Sequence, residues 1–190
     1  RLVAAGPDAT HRISAPSALV FTRADIKAPI LMTLPMGARL SAQDHDEKFV
    51  AVAGGYVHRR HVAVLDAPGA EPLATARQFV GTPYLWGGRC RDGIDCSGLV
   101  QTAMMAAGVA VPRDSDQQAA SIGTAVALAD RQAGDLLFVP GHVGFIETDD
   151  QLLHANAFWM QTVREPLADV LARLSADTPI TLRRPPRASR

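Results

Sequence analysis

Along the first third of the chain, apolar and polar positions alternate over short runs. Proline, glycine and acidic turns separate these runs, which cover residues 18–23 (ALVFTR), 38–44 (ARLSAQD), 48–54 (KFVAVAG) and 55–65 (GYVHRRHVAVL). The runs lack the spacing of an amphipathic helix and are typical of β-strands bounded by turns. The pattern therefore predicts a small all-β barrel at the start of the chain.

The pattern changes at residues 65–72 (LDAPGAEP), and the part that follows is mixed. Apolar residues at 73, 76 and 80 recur at helical spacing, and Pro72 is suited to the start of that helix. Further helices are expected over 97–108, 114–123 and 166–174, and strands over 134–140, 142–148, 151–155 and 180–184. The sequence thus predicts an α+β fold, with an all-β domain over residues 1–66 and a mixed domain over residues 67–190.

Composition and charge narrow the class of protein. The chain has 190 residues, 47% of them hydrophobic, which suffices for one sizeable core or two small ones. Lys plus Arg and Asp plus Glu each total 19, so no global charge favours nucleic acid or an anionic membrane as a partner. No apolar run approaches the ~18 residues of a membrane span. We expect a cytoplasmic protein, with a periplasmic or secreted one as the alternative, because a chain that begins at Arg1 is compatible with a cleaved signal peptide.

Cys96 lies in the stretch DGIDCSGLV, residues 92–100, ahead of an apolar run. A free cysteine on an apolar helix face is most often core filling. Here Asp95 and Ser97 flank the thiol, and the apolar residues begin only at Leu99. Cys96 would then lie in the first turn of a helix, where unpaired N–H groups and the helix dipole favour a thiolate. This context favours a nucleophile, and the same N–H groups could receive the oxyanion of a tetrahedral intermediate.

A thiol nucleophile needs a base, and two of the six histidines are suitably placed. His142 begins one expected strand and His154 lies at the end of the next. In an antiparallel hairpin these two strand ends come side by side, so one imidazole could take the thiol proton while the other orients it. A structural, hydrogen-bonded histidine is the alternative for each. The other four belong to polar turns and strands of the first part and are expected at the surface.

Two further uses of the cysteines are weaker. A disulfide between Cys90 and Cys96 would close a very short loop and sequester Cys96, and a disulfide-held domain normally carries more cysteines. Cys96, His142 and His154 could instead bind zinc, but the chain lacks a paired C-x-x-C or an H-x-x-x-H helix. We therefore expect no metal and no cofactor.

These residues lie in motifs that resemble the NlpC/P60 family of papain-like cysteine peptidases, which cut bacterial cell-wall peptides. The segments PYLWGG, DCSGLV, PRDSDQQ and GDLLFVPGHVGFIETDDQLLHA match the ordered motifs of that family, within residues 72–174. The resemblance implies that Cys96 is the nucleophile, His142 the base and His154 the third polar residue. It also implies a papain-like NlpC/P60 catalytic domain over residues 67–190.

The first part resembles a bacterial SH3-like domain, through LMTLPMGARLSA and GYVHRRHVAVL. Phe49 replaces the tryptophan that the SH3 family usually has after its central turn. An SH3-like domain ahead of NlpC/P60 resembles the γ-D-glutamyl-L-diamino acid endopeptidases, which process muropeptides with a free N-terminal L-Ala. For the free amine we expect contacts from Asp25 and Tyr56. The alternatives are a turn-forming acid and a barrel-core aromatic.

The resemblance also implies a substrate pocket beside the nucleophile, lined by Tyr84, Trp86, Asp95, Ser97, Asp114 and Ser115. Each has a structural alternative: a core aromatic for Trp86, a helix cap for either acid, and a first-turn polar group for either serine. Two other function classes stay open. One is a catalytically silent module that only binds the cell wall, and the other is an amidase or acyltransferase on the same papain-like scaffold.

Overall fold

A computed structural model describes residues 9–186 of the protein. The chain divides into two compact units, Arg1–Ala67 and Pro68–Arg190. The outermost residues of both predicted domains lie outside the described residues. Each unit has its own hydrophobic core.

The first unit is built from short antiparallel strands. They are β1 (His11–Ile13), β2 (Ser17–Phe21), β3 (Ile30–Pro35), β4 (Arg39–Leu40), β5 (Ala42–Asp44), β6 (Phe49–Val52), β7 (Gly55–His58) and β8 (Val62–Val64). A 3-10 turn, Arg59–His61, connects β7 to β8. The strands form two sheets, with the orders β4-β1-β8 and β3-β2-β7-β6-β5.

The core of the first unit follows from the alternation of side chains along its strands. Ala18 and Val20 of β2 are buried with Val50 and Val57 of the neighbouring strands, because every second residue points to the same face. The predicted runs all contain strands, whereas β1 was not predicted and β3 was expected only from the family resemblance. The residues of β3 are exposed or only partly buried, and its sequence, ILMTLP, does not alternate between apolar and polar residues. No closed barrel is found among the described residues of this unit, and the SH3-like barrel stays a prediction.

The second unit combines helices with a larger sheet. Its elements are α1 (Pro72–Arg77), β9 (Arg89–Cys90), β10 (Gly93–Ile94), α2 (Cys96–Ala106), α3 (Ser115–Ser121), β11 (Thr124–Val126), a 3-10 turn (Leu128–Asp130), β12 (Leu136–Val139), β13 (His142–Thr148), β14 (Gln151–Asn156), β15 (Gln161–Pro166), α4 (Leu167–Ala172) and β16 (Thr181–Arg184). Six strands pair in the order β11-β16-β12-β13-β14-β15, and β9 and β10 form a separate hairpin. The mixture of helix and strand confirms the predicted combination of both element types.

Most predicted elements of the second unit are present, but four of its strands are not among those predicted. The predicted strands over 134–140, 142–148, 151–155 and 180–184 contain β12, β13, β14 and β16. The first helix ends at Arg77, earlier than expected. The unpredicted strands are β9, β10, β11 and β15. Of these, β15 pairs with β14 at the edge of the sheet, and its last residue, Pro166, lies in the range predicted for the following helix.

Helices α2 and α4 pack against strands of this sheet. The residues of α2 are buried from Cys96 to Met104, and the helix packs against α1, β13 and β14. Leu167 and Val170 of α4 share a hydrophobic cluster with Ile146 and Leu152 of the sheet. The start of α2 and the end of α4 are thereby held by packed cores. Among residues 9–186, no helix is long and apolar enough to cross a membrane.

Candidate active site

The thiol of Cys96 lies at the first residue of α2 and is 7% exposed. Asp95 is the helix N-cap, and its Oδ1 accepts a hydrogen bond of 2.7 Å from the backbone N–H of Gly98. A side chain at Gly98 would collide with the carbonyl oxygen of Gly88, so only glycine lets the two backbone segments approach so closely. The glycine-rich loop and the cap together fix the start of the helix.

Arg113 donates hydrogen bonds to Asp95 and Ser97, the residues on either side of Cys96. Its Nη2 donates to Asp95 Oδ2 at 2.6 Å, and its Nη1 donates to Ser97 Oγ at 2.8 Å. The backbone N–H of Gly87, whose φ is +79°, also donates to Asp95 Oδ2 at 2.7 Å. Burial alone would raise the pKa of the Asp95 carboxyl, but Arg113 and the N–H groups of Gly98 and Gly87 lower it. Asp95 is therefore a helix cap and an ion-pair partner at the same time.

The pKa of the Cys96 thiol is raised, mainly because the side chain is buried. Hydrogen bonding to the backbone of Val143, Ser97 and Cys96 itself acts in the opposite direction, whereas the negative charge of Asp95 raises the pKa further. The sequence predicted a lowered thiol pKa from the helix start alone. That expectation is wrong, because desolvation outweighs the helix N–H groups. Helix α2, which begins at Cys96, packs against β13, the strand that begins at His142.

His142 and His154 lie side by side on the paired strands β13 and β14. His142 Nε2 is 2.9 Å from His154 Nδ1, as the hairpin prediction required. The two rings are nearly perpendicular, with centroids 5.0 Å apart. His142 is partly buried and His154 is fully buried. The second imidazole can therefore orient the first without contact with water.

Behind His154 lies Glu165, a buried carboxylate that sequence reasoning did not select. Glu165 Oε2 is 3.1 Å from His154 Nε2. Arg173 donates to both carboxylate oxygens, at 2.6 and 2.7 Å, and Trp159 Nε1 donates to Oε1 at 3.0 Å. Burial would raise the pKa of Glu165, but Arg173 and Trp159 lower it, so the group is a carboxylate at neutral pH. The one sequence signal was a glutamate just beyond the motif that carries His154.

These contacts determine which imidazole nitrogens carry protons. His154 Nε2 lies 3.1 Å from Glu165 Oε2 and 3.3 Å from Asn156 Nδ2. The contact with Glu165 is shorter, and a carboxylate can only accept, so we assign the Nε2 proton of His154 to this hydrogen bond. A neutral His154 then has a bare Nδ1, which accepts from the Nε2–H of His142. His142 keeps a bare Nδ1 as its proton acceptor. Its pKa is lowered to about 4 by burial and by the charges of His154 and Arg173, against a raising effect of Glu165.

The other predicted pocket residues of the second unit are partly buried or exposed. The pKa of Tyr84 is raised by burial and then by the negative charges of Cys96 and Asp95. Trp86 is 83% exposed, so the core alternative for this residue is wrong. Asp114 is exposed and occupies the N-cap position of α3 without a side-chain cap bond, and Ser115 begins that helix. The Asp114 carboxylate remains available to a ligand.

The two predicted residues of the first unit have clear structural surroundings. Asp25 is exposed, and its carboxylate accepts from the backbone N–H of Lys27 at 2.9 Å, as in a turn. It lines an open cavity of about 590 Å³ together with Lys48 and Arg60. Tyr56 is partly buried, and its ring lies 4.7 Å from that of His45. Their contact with a substrate amine stays a prediction.

Neither cysteine is paired in the described part of the chain. Cys96 is buried, and Cys90 of β9 is partly buried, with both thiols free. Within residues 9–186, no group of three or more His, Cys, Asp or Glu side chains is arranged to hold a metal ion. The free thiol of Cys96 and the hydrogen-bonded pair His142 and His154 are the groups that thiol addition assisted by an oriented imidazole would need.

Comparison with known proteins finds a matching family and several similar sequences. Residues 81–168 match the NlpC/P60 family. A probable endopeptidase of Corynebacterium glutamicum is 40% identical over 110 residues, which cover 50% of this chain and 52% of the relative. A γ-D-glutamyl-L-lysine dipeptidyl-peptidase of Bacillus subtilis is 40% identical over 91 residues, covering 44% of this chain and 30% of the relative. The chain thus matches about half, or less, of the length of these relatives.

A solved structure extends the likeness to nearly the whole chain. The crystal structure of an NlpC/P60 family protein from Bacillus cereus superimposes with a TM-score of 0.76, covering 94% of this chain and 64% of that one. The two sequences are 23% identical, so this comparison shows the fold. The fold of the chain is accordingly that of an NlpC/P60 family protein.

Proposed function

We propose that the protein is a cysteine peptidase that hydrolyses the bond between γ-D-Glu and the diamino acid in cell-wall muropeptides with a free N-terminal L-Ala. The observation that carries this proposal is the 2.9 Å hydrogen bond between His142 and His154, beside the packed helix α2 that begins at Cys96. The name of the Bacillus subtilis relative supports the substrate class.

In the first half of the reaction, His142 Nδ1 takes the proton of the Cys96 thiol as the sulfur attacks the γ-carbonyl carbon of D-Glu. The raised pKa of Cys96 and the lowered pKa of His142 favour a resting state in which both are neutral, so proton transfer accompanies the attack. The tetrahedral intermediate then collapses as His142 gives the proton to the leaving amine. The products of this half are a thioester and the released diamino acid peptide.

In the second half, water replaces the amine. His142 Nδ1 accepts a proton from the water, whose oxygen attacks the thioester carbonyl. Collapse of this second intermediate breaks the carbon–sulfur bond, and the proton returns to the sulfur. His154 holds the imidazole of His142 in one orientation through both halves and stabilises the imidazolium that forms in each.

The oxyanion of each intermediate would be held by the backbone N–H of Cys96, assisted by the Tyr84 hydroxyl. The raised pKa of Tyr84 keeps that hydroxyl protonated, and therefore a donor, at neutral pH. Trp86 and Ser115 would line the pocket, and the free carboxylate of Asp114 would bind a polar group of the peptide. Asp95 and Ser97 are further candidates for contact with the substrate, and both also hold the helix start through Arg113.

Selection of released muropeptides over the intact wall would require recognition of the free L-Ala amine. Asp25 and Tyr56 of the SH3-like part are our candidates for this contact. A blocked amine would leave a carboxylate unpaired, so acetylation of L-Ala should lower kcat/KM by roughly a hundredfold. An enzyme that acts on small released peptides fits a cytoplasmic location, which we include in the proposal.

The test compares products and variants. The protein is incubated with L-Ala-γ-D-Glu-diamino acid peptides, with their N-acetylated forms and with intact sacculi, and products are identified by mass spectrometry. Cys96→Ala should abolish cleavage, whereas Cys90→Ser, which changes the other thiol, should keep it. His154→Ala should lower kcat more than KM, because orientation of the base matters chiefly in the transition state.

Each alternative has its own outcome in this test. Binding to sacculi without cleavage of any peptide would favour a silent wall-binding module. Cleavage of another amide bond, or transfer of the acyl group to an added amine, would favour an amidase or acyltransferase. Equal cleavage of free and acetylated peptides would contradict the role of the free amine while leaving the peptidase assignment in place.

A further inference from the structure

We propose that Glu165 is a positioning residue that sets the proton arrangement of the two histidines. The site then has four functional residues, Cys96, His142, His154 and Glu165, and not three. We call the hydrogen-bonded row of Glu165, His154 and His142 the relay. This inference rests on the proposed function for its kinetic consequences. Its structural basis is the row of contacts from Arg173 through Glu165 and His154 to His142.

The carboxylate of Glu165 is held more tightly than a surface acid. Its side chain is 5% exposed, and four hydrogen bonds from three side chains saturate its two oxygens. Arg173, which follows α4, is itself placed over the ring of Phe158, 4.7 Å from the ring centroid. Because none of these donors except His154 can lose its proton at neutral pH, Glu165 stays an acceptor. The relay therefore has one fixed end.

Replacement of Glu165 by glutamine would reverse the relay. An amide has one accepting oxygen and one donating nitrogen. The Oε1 position faces two fixed donors, Trp159 and Arg173, whereas the Oε2 position faces Arg173 and His154. The amide oxygen therefore takes the Oε1 position, and its NH2 group is turned toward His154 Nε2.

His154 can accept from that NH2 group only by moving its own proton to Nδ1. His154 Nδ1 then donates to His142 Nε2, and the proton of His142 moves to Nδ1. That nitrogen is the one that must be bare to take the thiol proton. A single oxygen-to-nitrogen exchange, two residues away from the base, thus produces the unproductive form of His142.

A matched control lies in the same sheet. Glu147 of β13 is also a buried carboxylate, 7% exposed, and it is paired with two arginines, Arg77 at 2.8 Å and Arg164 at 2.7 Å. It is not part of the relay. Glu147→Gln therefore also removes a buried charge that is paired with arginine, without any change at a histidine.

The first test is kinetic. Glu165→Gln should lower kcat about a hundredfold with little change in KM, while Glu147→Gln keeps kcat within about twofold. Thermal unfolding of both variants should show similar losses, since each leaves an arginine without its full ion pair. A kcat for Glu165→Gln equal to that of Glu147→Gln would overturn the inference and leave the peptidase proposal standing.

The second test needs no substrate, and its decisive measurement uses the unmodified protein. Imidazole nitrogen chemical shifts, measured by NMR on the unmodified protein at neutral pH, should show His142 and His154 both protonated at Nε2. In Glu165→Gln both protons should lie on Nδ1, and in Glu147→Gln the pattern should match the unmodified protein. A proton on His154 Nδ1 in the unmodified protein would overturn the inference, whether or not any cell-wall peptide is cleaved.

Discussion

Asp95 and Glu165 are two buried carboxylates, each held by an arginine, on the two sides of the candidate active site. Asp95 binds backbone N–H groups at the start of α2 and Arg113, whereas Glu165 binds the side chains of His154, Trp159 and Arg173. The same chemical group thus holds the main chain beside Cys96 and, in our proposal, sets the proton arrangement of His154 and His142.

The difference between the two carboxylates determines what each can be replaced by. A backbone N–H donates to any oxygen at the right position, so the amide oxygen of asparagine can replace one carboxylate oxygen at residue 95. An imidazole nitrogen carries a proton when its partner accepts and lacks one when its partner donates. The change from carboxylate to amide should therefore alter the protonation of His154 when it is made at Glu165. We therefore expect changes at Asp95 to appear mainly in stability and changes at Glu165 mainly in chemistry.

The largest effect should follow removal of the Asp95 side chain. Asp95→Ala leaves Arg113 without its acid and Gly98 without its cap, and we expect it to lower the free energy of unfolding by about 3 kcal/mol. Urea unfolding followed by far-ultraviolet circular dichroism measures this change, because the described α-helices all lie in the second unit.

Asp114→Ala is the control for this prediction. Asp114 occupies the N-cap position of α3 but makes no side-chain cap bond, so its removal should change stability by no more than about 0.5 kcal/mol. Equal losses in the two variants would mean that Asp95 does not hold the helix start.

The acid limb of the pH–rate profile should separate the two carboxylates next. His142 must be neutral to act as a base, and its pKa is lowered from 6.5 to about 4. We expect kcat/KM to fall only as the pH approaches 4, and not near 6.5. The charge of Glu165 raises this pKa, so Glu165→Gln should move the limb to still lower pH, whereas Asp95→Asn should leave it in place. An acid limb near pH 6.5 in the unmodified protein would contradict the described burial of His142.

The smallest effect concerns the charge of the thiol. The negative charge of Asp95 raises the pKa of Cys96, so Asp95→Asn should lower the midpoint of Cys96 alkylation by less than about one pH unit. The measurement uses iodoacetamide on a Cys90→Ser background, in which Cys96 is the remaining cysteine. In the protein that keeps Asp95, the pH midpoint of Cys96 alkylation should lie above that of an ordinary thiol, about 8.5. A midpoint well below that value would show that the helix start outweighs burial after all.

The sequence was sufficient for the side of the site that depends on local order. Asp95, Cys96 and Ser97 are neighbours, so a helix start and its cap can be predicted from their order alone. The juxtaposition of His142 and His154 could also be predicted, because a short antiparallel hairpin brings its two ends together. Even there, the direction of the thiol pKa was wrong, since burial depends on packing that no local pattern encodes.

The relay behind His154 depends on a register that the sequence does not reveal. Glu165 pairs with Leu152, and His154 with Val163, only because β15 adds to the sheet edge in that alignment. A slip of one residue would turn the carboxylate to the other face. Arg173 arrives from beyond α4, so its contact also needs the packing of that helix on the sheet.

The protein has only two tryptophans, and both lie in the segments around this site. Trp86 is 83% exposed, whereas Trp159 is 50% exposed and its indole N–H is tied to Glu165. The two indoles therefore experience different polarity and quenching. In a Trp86→Phe protein the emission comes from Trp159, beside Glu165, and in a Trp159→Phe protein it comes from Trp86, so a change on adding a peptide would test the proposed place of Trp86 in the substrate pocket. The two tryptophans can therefore serve as separate fluorescence probes, one beside Glu165 and one in the segment that precedes Cys96.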